Sequence, residues 1–266
     1  MSMETSLKTA LNKKGIAQLT LNCPEKHNAF DNVIIDEITE RLKNWQIDDS
    51  VRALVIDARG DTFCAGADIA WMKRSAGLDY RVNLADAGAL AEMMRCLDRF
   101  PVPIITLVQG AAFGGALGII CCSDIVLATE DARFCLSEVK LGIVPSVISP
   151  YVIRTMGERQ ARRYMLTAEM ITASKALDLN LVHQLFASSD EARVKAEELL
   201  DTLLCNGPEA VRCCKQLIID ISGRKIDAGL VEYTGRVIAD IRNTPEGQEG
   251  LTAFLEKRQP SWVVNR

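Results

Sequence analysis

Two segments of the chain repeat one design, in which a short apolar strand runs into a glycine-containing loop that opens a helix. The first is the strand Ala53–Asp57 with the loop Ala58–Asp68, and the second is Ile104–Val108 with Gln109–Gly115. The first N–H groups of a helix have no partner within it and carry the positive end of its dipole. Glycine lets a ligand approach the backbone closely. Two such termini aimed at one point predict a site for negative charge developing on a carbonyl oxygen.

The glycines of the second loop allow another interpretation. Gly114 and Gly118 could serve only to let a helix pack tightly, and helix N-termini are general anion sites. The spacing alone leaves both interpretations open. Two nucleotide sites are disfavoured, because no Gly-Lys-Ser/Thr follows the loop and GAAFGGALG lacks the G-x-G-x-x-G order of a dinucleotide site.

Hydrophobic periodicity places strands first and helices last. Ile16–Leu21 alternates as a half-buried strand, and Asp31 or Asn32 can cap a helix that runs to about Trp45. The pattern then predicts a helix from about Asn83 to Arg99, an apolar helix Ala116–Cys122, strands Ile125–Ala128 and Arg133–Leu136, and helices at roughly 149–156, 158–168, 189–205, 208–222, 226–242 and 246–257. A β-rich core followed by a helical C-terminal part is therefore expected.

Bulk composition limits the class of partner. With 266 residues, 48% of them hydrophobic, the chain can bury a sizeable core. Its formal net charge of -4 gives no global basic field for nucleic acid or anionic lipid. Met1–Gly15 has no apolar stretch typical of a signal peptide, and Ala116–Cys122 is too short to span a bilayer. Nine scattered cysteines without zinc-ligand spacing predict buried, reduced thiols in a cytoplasmic protein.

Glu138 is the first candidate for acid–base chemistry. Apolar neighbours on both sides predict a carboxyl group in a partly dry pocket, where desolvation raises its pKa toward a value useful for proton transfer. The alternative is a surface glutamate that pairs with Lys140 or Arg133, and the residues alone favour it because most glutamates are exposed. His27 and His183 are too few for a histidine-rich metal site.

Five motifs together resemble the crotonase (enoyl-CoA hydratase/isomerase) superfamily in order and spacing. They are C-A-G-A-D at Cys64–Asp68, G-A-A-F-G-G-A-L-G at Gly110–Gly118, C-S-D at Cys122–Asp124, A-R-F-C-L-S-E-V-K-L-G-I-V-P at Ala132–Pro145 and E-G-L-T-A-F-L-E-K-R at Glu249–Arg258. The similarity covers essentially the whole chain. It implies an α/β fold, with a spiral core of ββα units in residues 1–200. A helical region in residues 201–266 would build homotrimers, often paired into hexamers.

The resemblance also implies roles for individual residues. The backbone N–H groups of Ala67 and Gly115 would form the oxyanion hole, and Glu138 would move the proton. Coenzyme A would enter as part of the acyl-CoA substrate, with no metal and no prosthetic group. The positions matched to coenzyme A binding are Lys26, Ala29, Ala65, Gly66, Asp68, Ile69 and Gly114, together with Phe254 and Lys257 of the tail, which would reach a neighbouring subunit's cofactor.

One position departs from the two-glutamate pattern of ordinary hydratases. The other hydratase glutamate would fall at position 118, where this chain has Gly118. The attacking water would then have one carboxylate at most. Double-bond isomerisation, which shuttles one proton between carbons, can run with Glu138 alone.

The sequence around Glu138, in contrast, favours hydration. It resembles bacterial 3-methylglutaconyl-CoA and isohexenylglutaconyl-CoA hydratases, which also tend to carry glycine at the position of Gly118. Their substrates carry a second carboxylate on a branched acyl chain, as in leucine or acyclic terpene breakdown. We expect the residues that recognise this acyl group to be Gly118, Ser146, Ser149 and Arg154.

The resemblance therefore implies a lyase that hydrates a branched, carboxylated enoyl-CoA. An enoyl-CoA isomerase is the alternative among enzymes. A non-catalytic acyl-CoA or RNA-binding homologue is the alternative outside them, since some relatives bind RNA. The acidic pI and the intact motifs disfavour this last reading.

Overall fold

The computed structural model describes residues 6–75 and 77–263. The chain divides into two compact units. The first comprises the chain up to Phe100 and the segment Ile104–Ala196, and the second comprises Pro101–Pro103 and the chain from Glu197 onward. The boundary at Ala196 falls inside a helix.

Nine strands form two sheets in the described residues. They are β1 Leu7–Leu11, β2 Ile16–Leu21, β3 Ala53–Ala58, β4 Ile104–Val108, β5 Ala111–Phe113, β6 Ile125–Thr129, β7 Arg133–Cys135, β8 Ile171–Thr172 and β9 Gln184–Phe186. The larger sheet has the order β1-β2-β3-β4-β6-β9, and the smaller has the order β5-β7-β8. Only the pairs β1–β2 and β7–β8 are antiparallel.

The centre of the large sheet explains the two apolar strands of the repeated design. β3 and β4 are neighbours, pair in parallel, and are buried along their whole length. Strands covered on both faces read as continuous apolar runs rather than alternating ones. The two buried strands expected from the sequence are therefore confirmed. Because they are parallel neighbours, the loops that follow them leave the same edge of the sheet.

Eleven α-helices occur in the described residues. They are α1 Asn32–Gln46, α2 Ile69–Ser75, α3 Tyr80–Asp98, α4 Gly115–Cys122, α5 Ser149–Met156, α6 Glu158–Thr167, α7 Ala173–Asp178, α8 Ser189–Leu204, α9 Pro208–Ile221, α10 Ala228–Asn243 and α11 Pro245–Glu256. Asp31 caps α1 by accepting from the Ile34 N–H at 3.0 Å, which confirms the expected start. α3 begins three residues before the expected Asn83, because the Asp79 carboxylate accepts from the N–H groups of Arg81 and Val82.

The expectation of buried thiols holds for part of the chain. None of the nine cysteines, all of which lie in the described residues, forms a disulfide bond, and the six up to Cys135 are buried. The expectation is wrong for Cys205 and Cys214, which are exposed, and for the half-buried Cys213. They lie at the end of α8 and within α9, on surfaces that the second unit by itself leaves open. Within the described part of the chain, no helix is both long and apolar enough to cross a bilayer.

The second unit carries large apolar side chains on its surface. Ile218, Val231 and Leu251, from α9, α10 and α11, are 58%, 60% and 50% exposed. Phe254 is 80% exposed. The trimer implied by the resemblance would cover such residues with subunit contacts, and it stays a prediction.

Candidate active site

The two glycine loops are fastened side by side by backbone pairing. The Cys64 N–H donates to the Ala111 carbonyl at 3.0 Å, and the Phe113 N–H donates to the Cys64 carbonyl at 2.9 Å. Ala67 and Gly115 therefore each lie three residues beyond the paired residues Cys64 and Ala112. This parallel bridge places the two predicted donors at the same end of adjacent chain segments.

The N–H of Ala67 is left free by the way its loop is held. The Phe30 N–H donates to the Gly66 carbonyl and the Asp68 N–H donates to the Phe30 carbonyl, both at 2.7 Å. In this parallel pairing the N–H between them points away from Phe30. It donates no hydrogen bond to any described residue.

The N–H of Gly115 is free for a different reason. Gly115 is the first residue of α4, where an N–H has no partner within the helix. Gly114 before it has φ 53° and ψ −123°, a conformation that requires glycine. The Gly114 N–H donates to the Cys135 carbonyl at 2.9 Å, which holds the entry to the helix in place. Ala67 and Gly115 thus present two N–H donors without a partner in the described part of the chain.

Glu138 lies against this second loop. A Cβ added to Gly114 would stand 3.2 Å from the Glu138 Oε1. The Glu138 Oε2 is buried and has no hydrogen-bond partner among the described residues. Burial raises the pKa of this carboxyl above its ordinary value. No ion pair with Lys140 or Arg133 is found in the described chain, so the geometry supports the pocket interpretation over the surface one.

A cavity of about 470 Å³ joins these groups. Its lining includes the predicted site residues Ala65, Gly66, Ala67, Gly114, Gly115, Glu138 and Ser146. Most of the remaining wall is apolar, with Phe30, Ile35, Trp71, Met72, Ala87, Leu90, Leu141, Ile143, Val144, Pro145, Val147 and Ile148. The other polar lining residues are Asn83, Asp86 and Ser137, and no lysine, arginine or histidine lines the cavity in the described residues.

Four residues matched to coenzyme A lie beside the cavity lining rather than in it. The Lys26 ammonium is 3.8 Å from the Asp68 carboxylate, and its side chain is 58% exposed. Asp68 also accepts from the Trp71 N–H at 2.8 Å and so caps α2. Ala29 is buried and Ile69 is exposed. Lys26 is the one cation among these four residues, and its contact with a coenzyme A phosphate stays a prediction.

Gly118, expected to help bind the acyl chain, does not line the cavity. A Cβ at this position would stand 2.5 Å from the Ile148 Cγ2 and 2.7 Å from the Met94 Cε and Sδ. The space beside Gly118 is therefore filled by Met94 and Ile148. The missing glutamate does not leave room for a bulky substrate here.

Ser149 and Arg154, which we expected to recognise a substrate carboxylate, also lie outside the lining. Arg154 pairs with the Asp98 carboxylate, and the Ser149 hydroxyl donates to the Ser146 carbonyl at 2.8 Å. Both side chains are engaged by α3 and by the turn before α5. Of the three polar residues proposed for this role, Ser146 alone faces the cavity.

Phe254 and Lys257 belong to the second unit. Phe254 lies in α11, and Lys257 ends it with φ 56° as a left-handed cap. Their contact with a neighbouring subunit's cofactor stays a prediction.

The sequence reasoning missed the contribution of α2 and α3 to the cavity. Asn83, Asp86 and Leu90 are three and four residues apart, so they lie on one face of α3. This spacing was visible in the sequence, but nothing indicated which face of the helix met the cavity. In the described residues, no group of three or more potential metal ligands is found.

Comparison with known proteins gives one consistent result. Residues 12–265 match the family model described as enoyl-CoA hydratase/isomerase. The crystal structure of an enoyl-CoA hydratase from Shewanella pealeana is 50% identical, with TM-score 0.93, and the match covers 97% of this chain and 96% of that one. The short-chain-enoyl-CoA hydratase of Clostridium acetobutylicum is 31% identical over 96% of this chain and 97% of its own length. The 2,3-dehydroadipyl-CoA hydratase of Escherichia coli is 31% identical, covering 92% and 93%.

Proposed function

The chain belongs to the enoyl-CoA hydratase/isomerase family, and from this premise we propose that it adds water reversibly across the α,β double bond of an enoyl-CoA thioester. The observation that carries the proposal is the Glu138 carboxyl. Its Oε2 is buried without a hydrogen-bond partner in the described chain, beside a loop with a free N–H. A buried polar atom without a partner is costly unless function supplies one.

The chemistry follows from these groups. The N–H groups of Ala67 and Gly115 hold the thioester carbonyl oxygen, which becomes negative as the enolate forms. Water forms its bond to Cβ, the π electrons move onto the carbonyl oxygen, and Glu138 takes a proton from the water. The electrons then return, and Glu138 delivers its proton to Cα. Preorganised donors at such an oxygen contribute about 3 kcal/mol each in comparable sites.

Burial suits Glu138 to both of its steps. A raised pKa makes the carboxylate a stronger base toward water. It also brings the pKa of the carboxyl group closer to neutral pH, where general acid–base catalysis is most efficient. The apolar wall of the cavity excludes bulk water that would otherwise compete for the enolate.

The acyl chain is proposed to be branched and to carry a second carboxylate, as in 3-methylglutaconyl-CoA. The resemblance around Glu138 supports this choice, and so does the relative named for a dicarboxylic substrate, 2,3-dehydroadipyl-CoA. The Ser146 and Ser137 hydroxyls can donate hydrogen bonds to such a carboxylate, and so can the Asn83 amide, which also donates to the Leu78 carbonyl at 3.1 Å. A neutral chain would rely on the apolar wall alone.

The test is a paired hydration assay. Wild-type protein and Glu138→Gln are each given 3-methylglutaconyl-CoA and crotonyl-CoA, and loss of the enoyl thioester is followed. We expect faster turnover of the branched diacid and loss of both activities in the variant. Equal rates on the two substrates would contradict the proposed acyl chain, and activity that survives Glu138→Gln would contradict the proposed mechanism.

Isomerisation is the second candidate, and the packing around Gly118 favours it. Met94 and Ile148 fill the place where a second glutamate would stand, and isomerisation needs one acid–base group. A β,γ-enoyl-CoA offered to the wild type distinguishes the two reactions. Formation of the α,β-enoyl product without further hydration would make isomerisation the function.

A further inference from the structure

Water addition requires more hydrogen-bond acceptors than Glu138 alone provides. A water molecule that attacks Cβ has to be oriented as well as deprotonated, and a single carboxylate fixes only one of its hydrogen atoms. Position 118 cannot supply a second acceptor, since the space beside Gly118 is taken by the Met94 thioether and the Ile148 side chain. Any second acceptor has to come from another element of the cavity wall.

Asp86 is the one other carboxylate in the described lining. It lies in the second turn of α3, and the hydrogen bonds that cap this helix go to Asp79 instead. Asp86, Leu90 and Met94 follow one another at four-residue intervals along one face of this helix. The face of α3 that places Met94 beside Gly118 therefore places the Asp86 carboxylate in the cavity lining two turns earlier.

No partner among the described residues accounts for Asp86. The residues three and four positions away, Asn83, Val82, Ala89 and Leu90, include no cation that could pair with it along the helix. Asp86 is half-buried, and no hydrogen bond or ion pair to another described residue is found for it. Its carboxylate oxygens are therefore open to the cavity and can accept hydrogen bonds from a water molecule there.

We propose that Asp86 holds the attacking water, as the second carboxylate of the reaction that Gly118 does not provide. The inference rests on the proposed hydratase function. Asp86 accepts one O–H of the water and Glu138 accepts the other. Glu138 takes its proton as the oxygen bonds to Cβ and then gives that proton to Cα. Asp86 gives up and takes up no proton in either step, so atoms and charge balance with no further reactant.

Two variants separate this role from a structural one. Asp86→Ala removes both acceptor oxygens and suits a helix interior, and Asp86→Asn keeps one acceptor oxygen at the same place. Asp49→Asn, at an exposed aspartate in the turn after α1, is the matched control. Each protein is assayed for hydration and for exchange of the α-protons of butyryl-CoA with deuterated solvent. Exchange uses the oxyanion hole and Glu138 but no attacking water.

The expected pattern is a split between the two reactions. Asp86→Ala should lose about 100-fold in the kcat of hydration, the loss expected when a reacting group is misplaced by about 1 Å. Asp86→Asn should fall between it and the wild type. α-Proton exchange should stay within about twofold in both variants, which also shows that they are folded and bind the thioester. Asp49→Asn should match the wild type in both assays.

The contrary outcomes are distinct. If the wild type hydrates and Asp86→Ala hydrates equally well, Asp86 does not hold the water and the hydratase function stands. If Asp86→Ala loses exchange and hydration together, Asp86 acts through the fold or through thioester binding, and the proposal is overturned. If the wild type exchanges α-protons but hydrates no enoyl-CoA, the proposed function fails and the role of Asp86 fails with it.

Discussion

Gly114→Ala is the substitution that probes the site geometry most sharply. Gly114 has φ 53° and ψ −123°, and the new methyl group would stand 3.2 Å from the Glu138 Oε1. Forcing an L-residue into such a conformation costs about 1–3 kcal/mol. In a chain of this size each kcal/mol lowers Tm by about 2–4 °C. The variant should therefore fold with a measurably lower Tm.

The effect on catalysis should exceed the effect on stability. Relief of the strain turns the peptide that leads into Gly115, and the added methyl group presses on Glu138, so one oxyanion donor and the acid–base group are both displaced. Loss of one such donor lowers kcat by roughly 100- to 1000-fold. Hydration kinetics of the folded variant, at a temperature below its Tm, measure this directly.

Gly157→Ala is the matched control for this prediction. Gly157 also has a glycine-only conformation, φ 76° and ψ 155°, but its Cβ would meet nothing within 4 Å. It lies between α5 and α6, outside the cavity lining. This variant should lose a similar amount of stability and keep its kcat. Wild-type kcat in Gly114→Ala, or equal losses in the two variants, would refute the placement of the oxyanion hole.

Three further predictions address other parts of the account. Burial raises the folded-state pKa of Glu138 above its ordinary value of 4.5, so the folded chain binds this proton more tightly than the unfolded one and stability falls as pH rises through that window. Glu138→Gln should therefore raise Tm at neutral pH and not below pH 4.5; an equal Tm shift at both would contradict it. Gly118→Ala should cost about 1–3 kcal/mol by overpacking, and a double-mutant cycle with Met94→Ala should show coupling above about 0.5 kcal/mol; additive effects would place Met94 elsewhere. Arg154→Ala should leave the KM for acyl-CoA unchanged and cost less than about 1 kcal/mol, because its partner is Asp98; a raised KM would return Arg154 to the substrate.

The sequence was most informative where the signal was local. β3 and β4 were recognisable because strands buried on both faces are continuously apolar, and α1 because Asp31 precedes its apolar stripe. β1 was missed because most of its residues are exposed, so no apolar run marks it. β8 has two residues, and only its pairing with β7 makes it a strand.

The residues of the candidate site likewise differ in whether a local motif marks them. The two glycine loops and Glu138 were indicated by short motifs, and the structure brings them to one cavity. The ion pair of Arg154 could not be predicted because its partner, Asp98, lies 56 residues earlier in the chain. Asp86 was missed because its place in the cavity lining depends on which face α3 turns to the cavity. Such contacts between distant segments carry no signature in a single sequence.

The central claim is that Glu138 transfers the proton while the backbone holds the charge. The most direct test is the hydration rate of Glu138→Gln with 3-methylglutaconyl-CoA, measured together with its affinity for butyryl-CoA. Loss of turnover by about 100-fold or more, with wild-type affinity, is the result that this account predicts. Turnover close to the wild-type rate in a variant that binds the thioester normally would contradict it.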